Sequence, residues 1–138
     1  MMLRKNLMAA LIALTAGLVF AVDAVPDGAK GFAGMLTGKV ITPSTDQVVI
    51  EVTKIEKTWK HSTATSAESL VGKQVALKVV PSLYAKKPGY QALVAKFFAQ
   101  LKAGDVESFD CKQAEGDGLT FLELTKGQKE KVEAAAKK

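Results

Sequence analysis

Few residues in this chain are of a type suited to covalent or acid–base chemistry. His61 is the single histidine, and Ser62 follows it in the small, polar run His61–Ser69. A hydrolytic triad needs a base that is oriented by a carboxylate and hydrogen-bonded to a nucleophile, and no spacing here marks such a set. His61 is therefore read as a surface histidine, with a hydrolase or accessory enzyme subunit using His61 as the competing reading. Cys111 is the single cysteine, so no intramolecular disulfide can form. One histidine and one cysteine also cannot supply the nitrogen and sulfur ligands of a closed zinc site. Asp46, Glu115 and Asp117 sit in turn-like segments and would hold calcium only weakly. Gly116 and Gly118 lack the Lys-Ser/Thr context of a phosphate-binding loop. No catalytic, cofactor-binding or metal-ligating residue is assigned.

Recognition is better represented. Trp59 stands among Lys54, Lys57 and Lys60, an aromatic ring flanked by positive charge that suits an anionic glycan or a protein partner. The alternative is that Trp59 caps one end of the fold while the lysines face water. Lys86 and Lys87, ahead of Pro88-Gly89, form a second small basic spot. The one arginine is Arg4, so every basic residue beyond the N-terminal segment is a lysine. Lysine is a hydrated point charge without the bidentate fork that reads phosphates and guanine edges. Sequence-specific nucleic-acid readout is disfavoured.

The elements that must position these residues begin after an export segment. Arg4 and Lys5 precede Leu7–Val22, a run without charge, which is the pattern of a secretory signal peptide over 1–24. Small residues allow cleavage after Ala21 or Ala24, and Ala24 is favoured because Asp23-Ala24 leads into a polar, Pro-bearing start. An uncleaved membrane anchor is the minor alternative, since about 16 apolar residues fall short of the roughly 20 that span a bilayer. Export places the protein in the periplasm or outside the cell, and no span of membrane length follows. Removing Arg4, Lys5 and Asp23 takes the net charge from +5 to +4, leaving about 114 residues, enough for one domain. With 48% hydrophobic and 24% charged residues and 4 prolines, the chain has the material for a core.

Residues 25–33 are glycine-rich and read as a flexible lead-in. Met35–Ile41 reads as a strand in which Gly38 marks a bend. In Gln47–Trp59, Val48, Ile50 and Val52 alternate with Val49, Glu51 and Thr53. Ile55 and Trp59 then fall on the other phase, which predicts a bulge near Thr53-Lys54. A helical turn is expected at Ala67–Leu70 and a third strand at Gln74–Val80. Leu93, Val94, Phe97, Phe98 and Leu101 predict an amphipathic helix over Tyr90–Ala103, with Gly104 as a left-handed cap. Asp105–Lys112 and Leu119–Leu124 are two more strands joined by a glycine-bearing turn. Thr125 and Gln128 have the spacing of a capping box, which starts a short C-terminal helix within 125–138. Phe97, Phe98, Phe109 and Phe121 are assigned to the core and Cys111 to a buried, small-hydrophobe role. Trp59, Tyr84 and Tyr90 remain as the aromatic residues expected at the surface.

This order, mainly β with one or two helices arranged β-β-β-α-β-β, resembles the OB-fold over residues 34–124. Most similar in pattern is the passage in which a helix ends in Leu101-Lys102-Ala103-Gly104-Asp105-Val106 and leads to a hairpin closing on Leu119–Leu124. The chain resembles small exported bacterial OB-fold proteins, and a different small barrel or an α+β sandwich is the alternative. The resemblance implies a five-stranded barrel whose ligand surface lies on the outer side of the second and third strands and on the adjoining loops. The candidate ligand or partner surface is accordingly Val49, Glu51, Thr53, Gln74, Lys78, Glu115 and Asp117, to which Trp59 is added. Single-stranded nucleic acid requires aromatic platforms in a positive groove, and that surface has neither in abundance. The expectation is an exported, non-enzymatic binding or interaction module with a protein or glycan partner and no cofactor. The alternatives are a single-strand binder or the His61 enzyme.

Overall fold

Alternation puts Val48, Ile50 and Val52 on one side of an extended chain, and the right-handed twist of L-residues curls a strand of that length. A computed structural model describes residues 22–113 and 116–136. It contains the strands β1 (Ala33–Thr42), β2 (Gln47–Thr58), β3 (Gln74–Lys78), β4 (Val106–Lys112) and β5 (Leu119–Phe121). Helix α1 (Pro88–Gln100) connects β3 to β4, and α2 (Lys126–Ala136) follows β5. The strands close into a barrel in the order β1-β2-β3-β5-β4, with β4 pairing back onto β1. This is the OB-fold-like arrangement expected from the sequence. The segment expected to be a signal peptide lies outside the described residues except for Val22–Ala24.

Curvature enters through β1 and β2. Their register slips at three points, leaving Thr53 and Glu56 of β2 and Ile41 of β1 without a partner. The slip at Thr53 is the expected bulge, and it lies beside Gly38. Each slip adds a residue to one strand and bends the pair, which lets a sheet of few strands close. Gly34 serves the same crowding: a Cβ there would overlap the Lys57 carbonyl oxygen.

Alternation on each strand sends Leu36, Val40, Ile50, Val75, Leu77, Phe109 and Leu119 into one core, where all are fully buried. The i, i+3, i+4 set Val94, Phe97 and Phe98 is delivered to that core by α1, and Leu101, just past the helix, joins it. Phe98 stacks on Phe109 with ring centroids 6.3 Å apart and meets Phe121 edge-on at 4.9 Å. Cys111 is buried among them, and burial pushes its thiol well above the usual range. A neutral thiol packs as a small apolar group and is a poor nucleophile.

The helix starts and stops earlier than its periodicity suggests. Pro88 occupies the first turn, where a missing N–H costs nothing, and Leu101 already has an extended backbone. Gly104, at φ 95°, belongs instead to a separate turn in which its N–H donates to the Val40 carbonyl at 2.8 Å. The capping box at α2 is reciprocal. Gln128 N–H donates to Thr125 Oγ1 at 3.1 Å, and Thr125 N–H donates to Gln128 Oε1 at 3.0 Å. Gln128 then uses its Nε2 to reach the Ser108 carbonyl at 2.6 Å, fastening α2 to β4.

The N-terminal segment differs from its expectation as a flexible lead-in. Val25, Ala29 and Phe32 are 3%, 0% and 0% exposed, and all three join the main core. The reason lies in the barrel's one parallel seam, where β3 and β5 share only Leu77–Leu119 and Lys78–Thr120. Below that short pairing the two strands need another partner. Asp23 N–H donates to the Gln74 carbonyl at 2.6 Å, the Asp23 carboxylate accepts from Gln74 N–H at 2.9 Å, and Val25 N–H donates to the Asp117 carbonyl at 2.8 Å.

Candidate functional site

The ladder of β2 ends at Thr58, and the next residue is Trp59. Its N–H donates to the Ala33 carbonyl at 2.8 Å and its carbonyl accepts from Ser62 N–H at 3.0 Å, which turns the chain tightly and leaves the indole beside β4. Phe109 and Cys111 face the core, so alternation sends Asp110 outward. Asp110 Oδ1 accepts the Trp59 indole N–H at 3.0 Å. The half-buried ring is thereby held by a hydrogen bond at its polar edge while its apolar body remains available.

The opposite wall comes from the connection between β3 and α1. Pro81 starts the 3₁₀ turn Pro81–Tyr84, and Pro88 starts α1, so two prolines with fixed φ bracket a compact link. Tyr84 and Tyr90 meet edge to face, with centroids 5.4 Å apart. The Tyr84 hydroxyl donates to the Leu122 carbonyl at 2.7 Å, and the Tyr90 hydroxyl accepts from Leu124 N–H at 2.7 Å. These hydroxyls take backbone groups that a longer β5 would have paired, so the strand ends at Phe121 and not at Leu124. Burial, foremost, raises both phenol pKa values above their ordinary 10.0. Tyr84, expected at the surface, is 7% exposed.

Between these walls lies a cleft of about 840 Å³. Trp59, Tyr84, Tyr90, Asp110 and Leu122 line its interior, and His61, Ser82, Leu83, Ala85, Lys86, Lys87 and Glu123 stand around it. Leu83 is 52% exposed and adds apolar surface at the cleft's edge. His61, Ser82 and Asp110 thus share one cleft, yet among the described residues no hydrogen bond joins His61 to either of the others. Asp110 is engaged by Trp59 instead. The arrangement offers fixed aromatic and aliphatic surface with two lysines at its edge.

Of the candidate ligand-surface residues read from the sequence, Trp59 belongs to this cleft and the others do not, while His61, Tyr84, Tyr90 and the Lys86-Lys87 spot, noted separately, also line it. Glu51 pairs with Gln74, Val49 with Ala76, and Gln47 with Lys78 across β2 and β3. That brings Val49, Glu51, Gln74 and Lys78 onto one stretch of the barrel, with Thr53 exposed at the bulge. Val49 is only 8% exposed there, and Asp23 covers the backbone of Gln74. Asp117 is exposed, and its carbonyl holds Val25. Glu115 lies outside the described residues. Asp110, Leu83, Tyr84 and Leu122 were not anticipated as neighbours of Trp59. The two prolines were the available signal, since Pro at the first position of a turn or helix would have fixed where Tyr84 and Tyr90 point.

Among the described residues, no group of three His, Cys, Asp or Glu side chains is placed to hold a metal ion, and no helix is long and apolar enough to cross a membrane. Comparison with protein-family models, curated proteins and solved structures returns no match to this chain.

Proposed function

We propose that the chain is an exported, non-enzymatic binding module on an OB-fold-like barrel, and that its aromatic cleft receives a short segment of a partner protein. The observation that carries this reading is a single cleft that holds the Asp110-fixed Trp59 ring, an exposed Leu83 and two tyrosines. Aromatic anchors fixed before binding lose little entropy on complex formation, which is why Trp and Tyr dominate interface hot spots. Lys86 and Lys87 at the edge favour a partner segment that flanks its apolar side chain with acidic ones. The polar groups inside the cleft, the Asp110 carboxylate and both tyrosine hydroxyls, are engaged within the fold, and the free ones stand at its edge, which favours an apolar side chain over a sugar in the interior. The outer side of β2 and β3 lacks the aromatic platforms that single-stranded nucleic acid uses. Export rests on the charged-then-apolar N-terminal pattern.

The test uses the fact that Trp59 is the single tryptophan, so intrinsic fluorescence reports on the cleft alone. A displayed peptide library is selected on the protein, and enriched peptides are titrated while Trp59 emission is followed. Peptides with an apolar residue beside Asp or Glu are expected to shift the emission saturably. Selection of no peptide, or binding that leaves Trp59 emission unchanged, would sink the reading. A saturable response to an oligosaccharide panel but not to peptides would replace protein with glycan.

A further inference from the structure

Asp110 is a carboxylate without a basic partner. Its Oδ1 accepts the Trp59 indole N–H, and that donor is neutral. Among the described residues the ion pairs are Lys30–Asp27 and Lys54–Glu56, so no basic side chain neutralises Asp110. Lys112, two positions along β4 on the same side, makes no ion pair with it. A carboxylate offers about four acceptor sites over its two oxygens, and the indole takes one of them.

This half-buried group stands among aromatic rings. Trp59, Tyr84 and Tyr90 line the same cleft, and the faces of such rings carry the negative side of the aromatic quadrupole. Burial foremost raises the phenol pKa values of Tyr84 and Tyr90, and the Glu123 and Asp110 carboxylates add to the rise at both. The tyrosines thus sense negative charge. Lys86 and Lys87 are exposed at the cleft's edge, where water and salt weaken their repulsion of a cation held inside.

Of the cationic groups that proteins carry, guanidinium fits this combination best. Its planar face stacks on an aromatic ring, its fork meets a carboxylate through parallel hydrogen bonds, and it gives up water more easily than an ammonium does. A cleft of about 840 Å³ has room for it beside an apolar side chain. We propose that the interior of the cleft is a guanidinium subsite, in which an arginine of the partner segment lies against Trp59 and pairs with Asp110. The source of that arginine rests on the protein-partner reading, whereas the subsite itself does not. Acidic residues of the same segment then meet Lys86 and Lys87, so the segment carries both signs of charge.

The probe is N-acetyl-argininamide, and the readout is the indole N–H proton resonance of Trp59, which is unique because the chain has a single tryptophan. A saturable shift of that resonance is expected. N-acetyl-citrullinamide, which matches the shape and lacks the charge, should need at least about tenfold more for the same shift. Asp110→Asn keeps an acceptor for the indole N–H and removes the carboxylate charge, so the resonance of the free protein should hold its place while the affinity for argininamide falls about tenfold. Equal responses to the two amides would overturn the subsite, and that comparison uses the unaltered protein. Selected peptides that bind the cleft without arginine, together with no shift by argininamide, would overturn the subsite and leave the protein-partner reading standing. A saturable shift by argininamide with no peptide selected would uphold the subsite and remove a protein segment as its occupant. Where peptides are selected, exchanging their arginine for citrulline should weaken binding about tenfold or more, and unchanged binding would overturn the proposal.

Discussion

The outer side of β2 and β3 and the cleft at the end of β2 lie on the same strand and have opposite character. Along the first, Glu51 faces Gln74 and Gln47 faces Lys78, a polar surface whose apolar pair Val49–Ala76 is buried. Beyond Thr58 the ladder stops, and there Trp59, Tyr84, Tyr90 and Leu83 converge. A closed barrel spends its regular alternation on filling the interior, so its outward strand positions are polar by default. The connecting segments are released from that alternation. They are free to gather aromatic side chains into a concavity, and recognition surfaces arise where the regular pattern ends.

The comparison is broken or sharpened by substitutions on either side of it. Trp59→Ala should weaken a selected peptide by about thirtyfold or more, the equivalent of about 2 kcal/mol for a central aromatic anchor. Titration of both proteins by anisotropy of a labelled peptide gives the ratio, and an unchanged affinity would move the site away from the cleft. Lys86→Glu combined with Lys87→Glu should cost about fivefold at low salt, with the difference shrinking as ionic strength rises.

Tyr84→Phe removes the bond to the Leu122 carbonyl and should lower stability by about 1 kcal/mol, measured as a urea midpoint. The same variant tests pH dependence. Burial raises the folded-state pKa of Tyr84 above its ordinary 10.0 and that of Cys111 above its ordinary 9.0. For each group the unfolded chain therefore ionises first. Stability from both is fully present below pH 9 and is lost as pH climbs past 9 and then 10. Midpoints taken between pH 8 and pH 11 should fall, and the fall above pH 10 should be shallower in Tyr84→Phe. On the β2–β3 face, Glu51→Lys and Lys78→Glu should each alter stability by less than about 0.5 kcal/mol and leave peptide affinity unchanged. A large loss of affinity there would return the site to β2 and β3.

Much of the barrel could be read from local pattern. The alternation at Val48–Val52, its phase change at Ile55, the i, i+3, i+4 apolar set of α1 and the Thr125/Gln128 pair each state their structure within a dozen residues. The parallel seam could not, because two residue pairs between β3 and β5 leave no periodic trace. The packing of 25–33 was masked by its glycines, although Val25, Ala29 and Phe32 recur at intervals of four and three that continue to Leu36. Trp59 could be picked out by type, but its setting could not. Asp110 lies 51 positions away, and Tyr84 became a wall of the cleft through a hydroxyl contact with a segment 38 positions further on.

The shortness of the β3–β5 seam has a mechanical consequence. Antiparallel neighbours elsewhere in the cylinder share load over five to eight residue pairs, except at the equally brief β4–β5 junction. Strand β5 is thus stitched lightly on both flanks, and tension applied between the two chain ends would peel it away first. The long β1–β2 ribbon would be the last part to yield.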